Sequence, residues 1–197
     1  LVLATHPKTD TAAPIANQFL RFGSSPRGAQ TMILAGKVRA LTQGDTDNFS
    51  PVYLPSGDIL FVSTRRGGYH RCGRGPCFVY TLARMAEDGR NPHSISFHET
   101  HEWDPCLLQD GRVLYTRWDY IDRFNGHFFS LWSANQDGTN PQLVYGNYTV
   151  KPQVKFEARS IPGSSKLVMT AGAHHRKEDL LFLLHVFLER LAGIQPV

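Results

Sequence analysis

A loop between residues 65 and 77 carries the side chains best suited to metal or redox chemistry. It contains Cys72 and Cys77, separated by four residues, and His70 just before them. Thiolate and imidazole are ligands that Zn²⁺ prefers, so the loop could hold zinc. The two thiols could instead form a disulfide in an oxidising compartment. A basic anion site or a solvated loop with free thiols are the remaining interpretations.

Histidines elsewhere offer weaker metal-site candidates. His98 and His101 flank Glu99-Thr100 at the start of a predicted sheet, and His174 follows the last predicted strand. The His-x-x-His spacing does not lie on a helix, unlike the His-Glu-x-x-His motif of metalloproteases. We therefore weigh a metal site here against hydrogen bonding within a turn.

Arginines and one tryptophan form a candidate ligand or partner face. Arginine over an aromatic ring can stack on a planar ligand, and loops at one end of a repeated sheet often bind partners. The alternative is an internal Arg–Asp pair beside a packed tryptophan. The residues concerned are Arg65, Arg66, Arg117, Trp118 and Asp119.

Antiparallel hairpins must position these side chains. Asp110-Gly111 and Asp137-Gly138 each lie between apolar runs, which is a strong hairpin signal because glycine accepts a positive φ. Two consecutive hairpins predict a four-stranded antiparallel sheet.

The same pattern recurs along the chain. Pro51 and Pro105 are 54 residues apart, and so are Gly57 and Gly111. This period is typical of β-propeller blades, and the sequence predicts an all-β fold with about two and a half four-stranded blades. The predicted strands lie near 50–54, 59–64, 78–85 and 93–97, near 105–108, 112–118, 128–135 and 142–145, and near 154–160 and 166–171.

The two ends of the chain do not repeat. Residues 1–36 form a segment without a clear structure, apart from a short helix predicted near Thr11–Phe22, and residues 37–175 hold the blades. Val38–Thr42 resembles the last strand of a preceding blade. Residues 176–197 are largely apolar and predict a possible C-terminal helix that is buried or meets a partner.

Bulk properties exclude some function classes. A net charge of +4 is too small and too scattered to indicate nucleic-acid binding. No apolar run reaches the roughly 18 residues of a membrane span. Since a propeller needs roughly 4–8 blades, the expected partners are other blades or domains of a longer chain, or further copies of this one.

The repeats resemble TolB-type propeller repeats and, more narrowly, the middle domain of the hydrazine synthase alpha-subunit family. The resemblance covers about residues 38–175 and depends most on Thr64–Cys77, Tyr115–Arg123 and Ile161–Ser164. It implies a propeller in a periplasmic or secreted protein. The family's synthase carries c-type haem, which needs Cys-x-x-Cys-His. This chain has no such motif, so no covalent haem is expected.

The sequence favours a binding or scaffold module for protein–protein interaction, without chemistry of its own. No catalytic triad or paired carboxylates are legible. The alternative is a cofactor- or metal-dependent redox domain of the hydrazine synthase type, with a metal at Cys72, Cys77 and His70.

Overall fold

The protein is described by a computed structural model that covers residues 6–19, 25–42, 44–70, 77–120, 128–146, 149 and 152–172. These residues form two helices and ten strands, and the strands dominate. The helices are α1 (Pro14–Phe19) and α2 (Pro26–Leu41); the strands are β1 (Asn48–Tyr53), β2 (Ile59–Ser63), β3 (Thr81–Met85), β4 (His93–Ser94), β5 (His101–Leu107), β6 (Val113–Trp118), β7 (Phe129–Ala134), β8 (Gln142–Tyr145), β9 (Val154–Ser160) and β10 (Leu167–Gly172).

Three antiparallel sheets follow one another along the chain. Sheet 1 has the order β1-β2-β3-β4, sheet 2 the order β5-β6-β7-β8, and sheet 3 pairs β9 with β10. The two predicted four-stranded units and the final hairpin are therefore confirmed. No closed ring forms among the described residues. The prediction placed a strand start near residue 78, whereas β3 begins at Thr81 because the preceding residues pair with another segment.

Each sheet opens with the same backbone irregularity. The register between its first two strands shifts at Phe49/Val52 in sheet 1 and at Trp103/Cys106 in sheet 2. Sheet 3 shifts between Val168 and Thr170 of β10. A β-bulge of this kind places one extra residue on the first strand. That residue has a positive φ in all three sheets: 48° at Ser50, 51° at Asp104 and 52° at Glu157.

A polar residue lies two positions before the positive-φ residue of each bulge. In all three sheets its side chain makes a hydrogen bond to a residue earlier in the chain. Asn48 Nδ2 donates to Thr42 Oγ1 at 3.0 Å, at the end of α2. Glu102 accepts from Leu82 N–H of β3 at 3.0 Å. Lys155 Nζ donates to Gly146 O, just after β8, at 3.3 Å.

Sheet 2 packs against sheet 1 on one face and against sheet 3 on the other, which explains why the second strands of sheets 1 and 2 are largely apolar on both sides. All of β2 is buried: Ile59 and Phe61 pack toward α2, whereas Leu60 and Val62 pack toward sheet 2. Successive side chains of a strand point to opposite faces, so only a sheet covered on both faces needs such a run. In β6, Val113 and Tyr115 face sheet 1, and Leu114 faces sheet 3.

Strand β10 occupies the same place in sheet 3 as β2 and β6 do in their sheets. The described residues cover one of its faces and leave the other partly exposed. Leu167, Met169 and Ala171 are buried in the cluster shared with sheet 2 or beside it. The alternate residues Val168 and Thr170 are half-buried. Among the residues that the structure describes, sheet 3 therefore has one packed face and one partly open face.

Helix α2 corrects the prediction of a strand at Val38–Thr42. Ser25 caps the helix by accepting the Gly28 N–H at 3.1 Å, and Pro26 occupies the first turn, where its missing N–H costs nothing. Leu34, Val38 and Leu41 then share one helical face against sheet 1. The spacing of these three residues is helical, and their burial against sheet 1 decides for the helix.

The predicted helix near Thr11–Phe22 corresponds to the shorter α1. Residues 176–197, with the possible C-terminal helix, lie outside the described residues. Within the described ranges, no helix has the length and apolarity needed to span a membrane.

Candidate functional site

Residues 68–70 and 77–79, between β2 and β3, pair as a short two-stranded ribbon. His70 N–H donates to Cys77 O at 3.0 Å, Val79 N–H donates to Gly68 O at 3.2 Å, and Tyr69 pairs with Phe78. The Tyr69 and Phe78 rings stack on each other with 54% and 48% of their surfaces exposed. Because neighbouring side chains in a ribbon alternate, His70 and Cys77 share the opposite face.

That face meets the first residue of sheet 2. His101 begins β5 and is only 4% exposed. The ligand atoms of His70, Cys77 and His101 all lie within 4.8 Å of one another. Two of these residues come from the ribbon between β2 and β3 and the third from β5 of sheet 2. The set of two nitrogens and one sulfur is one that Zn²⁺ binds.

His101 already uses one ring nitrogen. Tyr80 N–H donates to His101 Nδ1 at 3.2 Å, so the proton of the neutral ring is on Nε2. A metal-bound imidazole keeps a proton on its other nitrogen, so binding a metal would end this hydrogen bond. Leaving the part-buried Tyr80 N–H without this acceptor costs about 1–3 kcal/mol, which is less than the roughly 10–16 kcal/mol of a structural zinc site.

Both histidines are poised to be neutral at pH 7. Burial, with the nearby His70, lowers the pKa of His101 to about 4. Burial also lowers the pKa of His70. An uncharged imidazole offers a lone pair to a metal without competition from a proton.

Aromatic rings surround the cluster on the sheet 2 side. His101, Trp118 and Phe129 are direct cross-strand partners at one end of sheet 2. The His101 and Trp103 rings stack at 5.0 Å, and the Trp118 and Phe129 rings at 4.8 Å. Stacked rings of this kind fix the position of His101 and exclude water from one side of it.

A second polar group lies one residue further along β5 and faces sheet 1. Glu102 is completely buried. One of its oxygens accepts the Leu82 N–H at 3.0 Å and the Ser96 hydroxyl. The other oxygen accepts no hydrogen bond from the described residues and lies 3.5 Å from His98 Nε2. Burial raises the pKa of Glu102 to about 7.

His98 belongs to this second group and not to the first. Arg117 Nη1 lies 3.1 Å from His98 Nε2, and because arginine can only donate, this nitrogen is the acceptor. Burial and the Arg117 charge lower the pKa of His98 to about 4. The two histidines of the His-x-x-His motif thus contact different groups.

The remaining residues of the predicted ligand face are engaged in internal contacts. Arg117 Nε donates to Asp119 Oδ1 at 2.6 Å, and its guanidinium lies 4.5 Å from the Trp132 ring centroid. Trp118 is 7% exposed within the aromatic cluster. The geometry is that of the alternative considered above, an Arg–Asp pair beside a packed tryptophan.

Arg65 and Arg66 also bond to their own chain. Arg65 Nη2 donates to Asn48 Oδ1 at 3.3 Å, and its guanidinium lies 5.3 Å from the Phe61 ring centroid. Arg66 Nη1 donates to Gly67 O at 3.0 Å, and Arg66 Nη2 is 3.9 Å from Glu99. These arginines support the ends of the sheets.

Two of the predicted residues, Cys72 and His174, lie outside the described residues. Cys77 and Cys106 have free thiols in the structure. The disulfide between Cys72 and Cys77 stays a prediction. Cys106 is buried, and its thiol lies 3.1 Å from Ala158 O.

Sequence reasoning assigned His70 and Cys77 to one candidate site and His101 to another. The cross-strand pairing of His70 with Cys77 could have been found, because Tyr69 and Phe78 are apolar residues at matching positions on either side of the loop. The approach of His101 depends on how sheet 1 stacks on sheet 2, which no local pattern encodes. Glu102 was missed as a buried group because most residues between His98 and Asp104 are polar.

Scans against protein-family models and curated proteins found no match. Among solved structures, one similar chain is hydrazine synthase from Kuenenia stuttgartiensis, with 19% sequence identity and a TM-score of 0.47. The match covers 59% of this chain and 18% of that chain. Part of this chain is therefore similar in structure to part of hydrazine synthase.

Proposed function

We propose that the three sheets are successive blades of a β-propeller-type array and that the chain is a binding or scaffold module. The observation that carries the proposal is the unequal covering of equivalent strands. β2 and β6 are packed on both faces, whereas β10 has Val168 and Thr170 half-buried on its second face. In a stack of equivalent sheets, that face is where the next unit binds.

Helix α2 makes the two ends of the stack different. It covers the face of sheet 1 that points away from sheet 2, and it buries Val38 there. The far face of sheet 3 has no such cover among the described residues. If the described part of the stack is covered at one end and open at the other, partners add in one direction.

The partner that we propose for this face is a second copy of the same chain. The covered faces of sheets 1 and 2 are apolar, and the open face of β10 presents Val168 in the equivalent strand. A partly apolar face on an open array favours association with another sheet. A further blade in a longer chain would use the same face.

Sedimentation equilibrium of the purified chain tests this function. We expect the wild-type chain to self-associate as its concentration rises. Val168→Glu should weaken association by about tenfold or more, because the interface would bury an unpaired carboxylate. Leu143→Glu is the matched control, since Leu143 is 42% exposed on β8 of sheet 2 and should leave association unchanged.

A wild-type chain that stays monomeric at every concentration would contradict self-association through sheet 3. Equal weakening by Val168→Glu and Leu143→Glu would also contradict it, because the effect would then come from added charge alone.

A further inference from the structure

We propose that His70, Cys77 and His101 form a binding site for a divalent transition metal of the Zn²⁺ class. The site goes beyond the scaffold function and does not depend on it. It stands on one geometric observation: ligand atoms from the ribbon between β2 and β3 and from the first residue of β5 all lie within 4.8 Å of one another.

The donor set selects the class of metal. One sulfur and two imidazole nitrogens suit Zn²⁺ and similar borderline ions, whereas Mg²⁺ and Ca²⁺ require oxygen ligands. Zinc bonds of about 2.0–2.3 Å to nitrogen and sulfur place tetrahedral ligands roughly 3.3–3.8 Å apart. The cluster therefore needs to contract by about 1 Å to close around the ion.

The ribbon can supply that contraction. His70 and Cys77 are cross-strand neighbours joined by the His70 N–H to Cys77 O bond of 3.0 Å, so they move as a pair. His101 is held by its stacking on Trp103 at 5.0 Å and by burial. The metal would thus join the ribbon between β2 and β3 to a buried residue of sheet 2.

Three described ligands leave one coordination position. Structural zinc sites are closed by four protein ligands, whereas catalytic sites have three protein ligands and a water or substrate. The proposed site is of the three-ligand type among the described residues. Its chemistry would be the binding of water or an exogenous donor at the fourth position.

Titration of the reduced, metal-free full-length chain with Zn²⁺ and Co²⁺ tests the proposal. We expect one equivalent of Co²⁺ to bind with a thiolate charge-transfer absorption band. We also expect the amide signal of Tyr80 to shift in NMR spectra, because metal binding ends its hydrogen bond to His101 Nδ1. A merely structural cluster would show neither signal.

Variants identify the ligands. Cys77→Ser should abolish the charge-transfer band and weaken Zn²⁺ binding by about 100-fold or more. Losing a hydrogen bond that only supports a metal ligand already weakens binding by about 10–100-fold, so losing a ligand itself should cost at least as much. His70→Gln should weaken binding in the same direction, and neither residue is fully buried, so both variants should fold. Cys106→Ser is the matched control because this other free thiol contacts Ala158 of sheet 3 and none of the three proposed ligands, and the variant should bind as the wild type does.

The proposal is overturned if the wild type binds no stoichiometric metal. It is equally overturned if Cys77→Ser binds as tightly as the wild type, or if Cys106→Ser loses binding to the same extent.

Discussion

The buried carboxyl of Glu102 makes the stability of this protein depend on pH in a way that one amide substitution should remove. Glu102 is completely buried between sheets 1 and 2, and burial raises its pKa from 4.5 to about 7. Between these two pH values the folded chain holds a proton that the unfolded chain has released. The free energy of unfolding therefore gains a contribution at low pH that is lost as the pH rises through about 7.

The size of this contribution follows from the shift. Each pKa unit corresponds to about 1.36 kcal/mol, so the rise from 4.5 to about 7 gives about 3 kcal/mol. His98 and His101 act in the opposite direction, because burial lowers both pKa values from 6.5 to about 4. Their contributions grow as the pH rises across that window, so the pH profile of the wild type alone does not isolate Glu102.

The informative quantity is the difference in unfolding free energy between wild type and Glu102→Gln at each pH. The histidine contributions cancel in this difference. We expect it to fall by about 3 kcal/mol between pH 4.5 and one unit above 7, with the glutamine variant gaining at the higher pH. Urea unfolding with a chelator present measures it, and fluorescence reports on sheet 2, where Trp103, Trp118 and Trp132 all lie.

Glu99→Gln is the matched control, because the Glu99 side chain is 58% exposed and its removal should leave the pH profile close to that of the wild type. A difference between wild type and Glu102→Gln that stays constant with pH would refute the reasoning, whatever its size.

Four further predictions concern packing, charge and the thiols. In urea unfolding, Gly138→Ala should destabilise the chain by at least about 2 kcal/mol more than Gly111→Ala. Both glycines have φ near +84°, so the backbone strain is the same, but a Cβ at Gly138 would also clash with Ile95 O. Val38→Ala should lower the free energy of unfolding by about 1–3 kcal/mol, because it leaves a cavity under α2. Ile33→Ala changes a residue that is 69% exposed and should lower it little, and equal losses would contradict the packing of α2. Burial lowers the pKa of Lys155 from 10.5 to about 8, so the unfolding free energy of the wild type relative to Lys155→Met should rise with pH between these values; a constant difference would contradict this. Thiol titration of the unfolded, unreduced chain should find one free thiol if Cys72 and Cys77 form a disulfide; three would rule it out.

The order of the strands could be predicted because turns and alternation are local. Asp110-Gly111 and Asp137-Gly138 fix two hairpins, and the apolar residues of β6 and β7 fix the strands beside them. The starts of β1 and β5 were set too late, since the bulges at Ser50 and Asp104 interrupt the alternation before them. A bulge changes the register without a strong sequence signal of its own.

The helix at 26–41 was missed for a different reason. Its first turn begins at Ser25-Pro26, a good start signal, but Gly28 and Gly36 weaken the helical pattern. What stabilises α2 is its contact with Ile59 and Phe61 of sheet 1, far along the chain. Tertiary packing of this kind decides whether the segment forms a helix or a strand, and this packing is seen only in the folded structure.

The candidate metal site shows the same limit. His70 and Cys77 are brought together by ribbon pairing, which local alternation encodes. His101 joins them only because sheet 2 stacks on sheet 1 in one register. Sequence therefore identified all three residues as candidates but could not assign them to one site.

The three backward-bonding polar residues have a consequence for how the repeats evolve and assemble. Asn48 presents an amide to a hydroxyl, Glu102 presents acceptors to a backbone N–H and a hydroxyl, and Lys155 presents a donor to a carbonyl. Exchanging two repeats would set an ammonium group against an N–H or a carboxylate against a carbonyl, and each mismatch would be buried. The repeats share a backbone plan, but they are not interchangeable, and gene duplication or shuffling within this chain would have to change these positions together with the backbone groups that they meet.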